Sequence, residues 1–266
     1  MQAVATNSNR PGGSARTWVL RSVVWFVTAY TIITIIHEAA HAVTAVALGI
    51  PSTLFNFWVN HDFSHASAGE RAAVGIAGPT VSLFVGVVCW FIYRRVRNSA
   101  AGLPLLYLAA IGVANFFGNL MSASFVGDFS AAAVVLGLSQ TARYAASVTG
   151  AVALVAILFA TGRELRQWTP EVGRIAVVLG AVTAPALVGT AIIIVVNQPT
   201  PMGSSFMTAR LGEASFWLFA AFGALFRGQH QRADDACLGI GWLDASAATA
   251  AILAVRIMAH GIPLRP

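Results

Sequence analysis

Lysine is missing altogether from the 266 residues, and all sixteen basic side chains are arginines. Most of them stand at the ends of apolar stretches and form no basic face or run. Nucleic-acid binding needs a clustered patch, so the positive balance excludes that partner and reads instead as membrane topology. Cysteine is almost as scarce: Cys89 and Cys237 are far apart and form no CxxC pair, which excludes a disulfide framework and a cysteine-ligated metal site. Charge of either sign is thin, 10% of residues against 57% hydrophobic. That is too little polar surface for a soluble fold.

What is present is a series of long charge-free stretches, each close to the roughly 20 apolar residues that carry an α-helix across a bilayer. The expected fold is an all-α polytopic membrane protein, multi-pass in the cell membrane, with six or seven transmembrane helices and lipid as its surroundings. The first span covers residues 18–48 and stops at Gly49 and Pro51. Between 52 and 70, Thr53, Phe55, Phe57 and Val59 alternate with other residues, predicting a short membrane-associated strand or hairpin. Further spans are expected at 72–93, closed by Arg94, Arg95 and Arg97, and at 103–122, 142–160, 175–196, 216–226 and 245–258. Residues 1–17 read as a disordered tail, polar and rich in small side chains over 1–14. Arginines alternate between the connections in a way that places the N-terminus in the cytoplasm.

The chemistry lies within the first span. His37, Glu38, Ala39, Ala40 and His41 form an HExxH motif, and on a helix the two histidines share one face because residues four apart are neighbours. Both imidazoles can then reach one ion. Zinc suits such a pair, since its catalytic sites use three protein ligands and keep a position open for water. Glu38 is placed to take a proton from that water and deliver it to a leaving amine. The competing reading is two buried histidines satisfied by hydrogen bonds, with Glu38 as their charge partner. Three ionisable residues in five positions of a membrane span are costly unless functional, which favours the metal.

A third ligand must come from elsewhere. Asp128 is the only acidic residue between Arg71 and Arg163 and follows a span; the alternative role for it is an N-cap of a helix beginning at Phe129.

The region 31–138 resembles the site-2 protease family of intramembrane zinc metalloproteases. HEAAHAVTAVALGIP is similar to that family's HExGH helix and its Gly-containing turn. GIAGPTVSLFVG, at 75–86, is similar to its AGPxxN segment, with Ser82 where asparagine is usual. NLMSASFVGD, at 119–128, resembles its NxxP…DG segment, with Ser122 in place of proline and Phe129 in place of the glycine after the aspartate. The resemblance implies that His37, His41 and Asp128 hold one zinc ion, that Glu38 is the catalytic acid and base, and that Asn119 holds the unwound backbone of a membrane-protein substrate. It implies also that the strand near 55–59 pairs with substrate by β-addition. Residues 18–141 are then a three-helix catalytic core, and 142–266 additional transmembrane helices without recognisable chemistry.

Other features point elsewhere. His61 and His65, read with the HEAAH motif, invite a di-iron desaturase, but six histidines with no HxxHH box do not meet that pattern. They are expected in an exposed loop. Gly75, Gly78, Ser82 and Gly86 recur at three- and four-residue spacing, as close helix packing requires. Asp234, Asp235 and Asp244 read as solvated loop residues. A second function class is a catalytically silent metal-binding scaffold or transporter-like protein that keeps the zinc helix without turnover.

Overall fold

The computed structural model describes residues 15–169, 178–197, 203–226 and 241–266. Of the tail expected at 1–17, residues 1–14 lie outside the described residues, as do the start of the span expected at 175, Asp234 and Asp235, whereas residues 15–17 already belong to the first helix.

The architecture is all-α with one small sheet. Helix α1 spans Ala15–Ala47, α2 Ala68–Val96, α3 Gly102–Met121, α4 Asp128–Val135 and α5 Gln140–Leu165. A π-helical segment, Val178–Thr183, leads into α6 (Ala184–Val196), followed by α7 (Gly203–Ala224) and α8 (Trp242–Met258). Among the described residues, four helices are long and apolar enough to cross a membrane: Arg16–Ala47, Ala68–Val96, Gly102–Met121 and Gln140–Trp168. Two shorter apolar helices, Ala184–Val196 and Leu211–Ala224, accompany them. Phe84, Phe91, Val148 and Val152 are each at least 60% exposed on these helices, a face suited to lipid.

Helix boundaries follow local chemistry. At the end of α1, Gly49 takes φ +79° and the Ile50 amide returns to the Ala45 carbonyl at 2.8 Å, the hydrogen bond of a glycine-terminated helix. The start of α2 is set by a capping box: Ser67 Oγ accepts from the Glu70 amide at 3.3 Å, and the Ser67 amide donates to Glu70 Oε2 at 2.7 Å. Arg94 and Arg95 close the same helix, where its dipole favours cations.

Strands β1 (Ser52–Leu54) and β2 (Val59–His61) form the expected hairpin, but residues 55–58 are its turn, with the Phe55 amide donating to the Trp58 carbonyl at 2.9 Å. A third strand, β3 (Ile262–Leu264), pairs antiparallel with β1 and gives the order β2-β1-β3. Both edges of β1 are therefore occupied, and among the described residues the outer edges of β2 and β3 carry no strand. Leu54, Val59 and Leu264 pack with Met258 against Ile35, Ala39 and Ala42, so the sheet sits on the HExxH turn of α1.

The main core gathers Trp18, Phe26, Tyr107, Leu158, Trp168 and Trp217 between α1, α3, α5 and α7. Close approach of α2 to α3 depends on Gly86, where a Cβ would stand 2.7 Å from the Val113 nitrogen.

Candidate metal centre

Helix α1 carries His37 and His41 one turn apart, each 5% exposed, with ring centroids 4.7 Å apart. Their Nδ1 atoms are occupied by α2. The Val74 carbonyl accepts from His41 Nδ1 at 2.6 Å, and a carbonyl can only accept, so that nitrogen carries the proton. Ser82 Oγ donates to the Gly78 carbonyl at 3.0 Å and faces His37 Nδ1 at 3.2 Å, which leaves it accepting from His37 as well. When neutral, both rings are thereby held as the tautomer whose Nε2 bears a lone pair. The two Nε2 atoms meet at 3.0 Å.

Gly78 makes room for this meeting. A Cβ there would overlap His41 Nε2 and lie 2.8 Å from His37 Nε2, so only glycine lets α2 pass behind the imidazoles. Gly75 lies against α4, where a Cβ would be 3.3 Å from the Asp128 carbonyl. The small-residue stripe thus does different work at each turn: Gly75 admits α4, Gly78 and Ser82 serve the histidines, and Gly86 admits α3.

After α3 the chain turns through residues 122–127 and enters α4 at Asp128. Gly127 is the N-cap, at φ +95°, a conformation that favours glycine, and Asp128 is the first helical residue. The carboxylate is free to face α1: Asp128 Oδ2 lies 3.0 Å from His37 Nε2 and 3.5 Å from His41 Nε2. Glu38 is half-buried beside this group and within electrostatic reach of all three residues.

His37, His41 and Asp128 form a group that could hold a metal ion, with ligand atoms all within 4.8 Å of one another. The donor set fits a divalent cation. Donors about 2.0–2.2 Å from a tetrahedral zinc ion stand roughly 3.3–3.6 Å from each other, close to the 3.0, 3.0 and 3.5 Å separations here. Two imidazole lone pairs and a carboxylate oxygen at such distances repel one another. One proton relieves a single contact, whereas a cation at their centre relieves all three.

Asn119 stands apart from this trio. Its Nδ2 donates to the Asn115 carbonyl at 3.1 Å, and it lines a cavity of about 370 Å³ between α1, α3, α5 and α7. Gly127 lines the same cavity, which brings it to within one residue of Asp128, although His37, Glu38, His41 and Asp128 are not on its wall.

Some residues lie where the sequence did not suggest. His61 is on β2 rather than in an exposed loop; its Nδ1 pairs with Ser52 Oγ at 2.8 Å, and burial, with His41 nearby, pushes its pKa down to about 4. His65 is exposed as expected. Asp244 is not solvated: it is 3% exposed, accepts from Arg21 Nε at 3.3 Å and from Trp25 Nε1, and caps α8 through the Gly241 amide at 2.6 Å. Ser82 and Val74, which orient the imidazoles, are functional candidates that the structure adds. For Ser82 the signal was available, since it stands at a named motif position; the Val74 carbonyl leaves no mark on the sequence.

No protein-family model, no curated protein and no solved structure matches the chain.

Proposed function

We propose that this chain is an intramembrane zinc metalloprotease of the site-2 type, hydrolysing peptide bonds in or near the transmembrane segments of other membrane proteins. The observation that carries the proposal is the meeting of His37, His41 and Asp128 in one lone-pair cluster beside Glu38, on a helix apolar enough to lie in lipid. The three motif resemblances over 31–138 support it. In this reading the chain crosses the membrane six or seven times, the shorter apolar helices adding to the four long ones.

The residues divide the work. Val74 and Ser82 hold the imidazoles so that both Nε2 atoms and Asp128 Oδ2 can bind zinc. When bound, zinc supplies Lewis acidity that makes water a nucleophile near neutral pH. Glu38 accepts the proton of the attacking water on its carboxylate and passes it to the amide nitrogen as the C–N bond breaks. Asn119, with a side-chain amide on the cavity wall, holds substrate backbone that has been unwound to expose the bond.

The test compares Glu38→Gln with the unaltered protein on a panel of single-span substrates, with zinc content measured alongside. The expected result is equal zinc and cleavage lower by about 10²–10⁴-fold, the usual contribution of a general acid and base. Equal zinc with no cleavage by either protein would instead favour the silent scaffold or transporter-like protein.

A further inference from the structure

Asp128 approaches the histidines from an irregular segment, and the residue that organises that segment is Arg143, on the first turn of α5. Its guanidinium makes four contacts. Nε donates to the Ala123 carbonyl, Nη2 to the Ser124 carbonyl and to Ser130 Oγ, and Nη1 to Gln140 Oε1, each at 3.1 Å. Ala123 and Ser124 precede Asp128 and Ser130 follows it, so one planar group grips the chain on both sides of the carboxylate. Ser147, one turn further along α5, reinforces the grip by accepting from the Ser124 amide at 3.0 Å. The tip of the segment has no comparable anchor in packing: Phe125 and Val126 are 67% and 64% exposed.

These acceptors are all neutral, so the arrangement is not an ion pair. An arginine placed here only as a topological charge would need no fixed partners, and a lysine would serve as well. The observed fork needs several donors in one plane, which a lysine's single ammonium does not present. We propose that Arg143 is a positioning residue of the metal centre, locking residues 122–130 so that the Asp128 carboxylate faces His37 and His41. This rests on the metal-centre reading above.

Two measurements on the detergent-solubilised full chain test it. Zinc affinity, read by competition with a chelator, falls about 10–100-fold in Arg143→Ala, the usual effect of losing a partner that orients a ligand. Arg143→Lys falls between the two. In Asp128→Ala, which already lacks the ligand the clamp serves, adding Arg143→Ala lowers affinity no further. Hydrogen exchange, followed without metal, becomes faster at residues 122–127 in Arg143→Ala and is unchanged in α1. Should Arg143→Ala fail to fold, Arg143→Lys and Ser130→Ala are read in its place, each expected to show the same two changes at smaller size. Unaltered affinity in the folded variants, or an equal further loss on the Asp128→Ala background, overturns the proposal, as does unchanged exchange at 122–127. Failure of the unaltered chain to bind zinc removes the metal centre itself, an outcome separable from the exchange result.

Discussion

Two of the polar clusters buried among the apolar helices, one around Asp244 and one around Asp128, are built in opposite ways. Around Asp244 a carboxylate meets donors: Arg21 and Trp25 donate to it, it also caps α8, and Arg21 Nη2 reaches the Ala100 carbonyl at 2.9 Å, while Arg21 Nη1 is left without a partner. Around Asp128 no donor comes from outside the trio: with both imidazoles neutral, His37 Nε2, His41 Nε2 and Asp128 Oδ2 are all acceptors turned inward. A closed pair of charges joins two helices. An inward-facing set of lone pairs is a place for a cation. The same residue type, aspartate next to an apolar helix, thus closes a charge pair in one cluster and completes a group that could hold a metal ion in the other.

The sharpest way to break this comparison is to remove each carboxylate. Asp244→Ala leaves Arg21 buried and unpaired, which destabilises the protein by about 3–5 kcal/mol; zinc binding per folded molecule stays the same. Asp128→Ala should do the reverse, leaving metal-free thermal stability nearly unchanged and sharply weakening zinc binding. Thermal unfolding in detergent with and without zinc reads both, and a large loss of metal-free stability in Asp128→Ala would count against the contrast.

A smaller effect is expected at Gly78. An added methyl meets both imidazoles, so Gly78→Ala costs about 1–3 kcal/mol of overpacking and reduces zinc content. Gly118→Ala, where nothing lies within 4 Å of the added Cβ, is the control and should leave zinc content unchanged. Smaller still is Ser82→Ala, which takes the acceptor from His37 Nδ1 and frees the ring to turn. Zinc affinity should fall about tenfold, the low end for a lost orienting partner, with fold stability changed little. Wild-type affinity in Ser82→Ala would mean that the contact at 3.2 Å does not orient the ring.

Features governed by local sequence were legible in advance. The HExxH geometry follows from helical spacing alone, and the long helices follow from runs of apolar residues with arginines at their ends. Asp128 could be proposed because a lone acid after a span is conspicuous, but the positive φ at Gly127 and the Arg143 clamp that aim it are matters of tertiary contact. The burial of Asp244 is not legible for the same reason: its partner Arg21 is 223 residues away and looks, in sequence, like one more interfacial arginine. Helix α7 extends well before the apolar stretch at 216–226 because its first half, rich in Gly, Ser and Thr, carries little hydropathy signal. The third strand joins β1 across some two hundred residues, and three residues are too few to show a period.

The central claim is that two imidazoles and one carboxylate share a zinc ion within the helical bundle, and zinc K-edge X-ray absorption of the purified full-length protein tests it most directly. The account predicts one zinc per chain, two imidazole ligands with light donors at about 2.0–2.2 Å, and loss of one oxygen donor in Asp128→Ala. Folded protein that binds no zinc under saturating conditions, or a spectrum unchanged by Asp128→Ala, would contradict it.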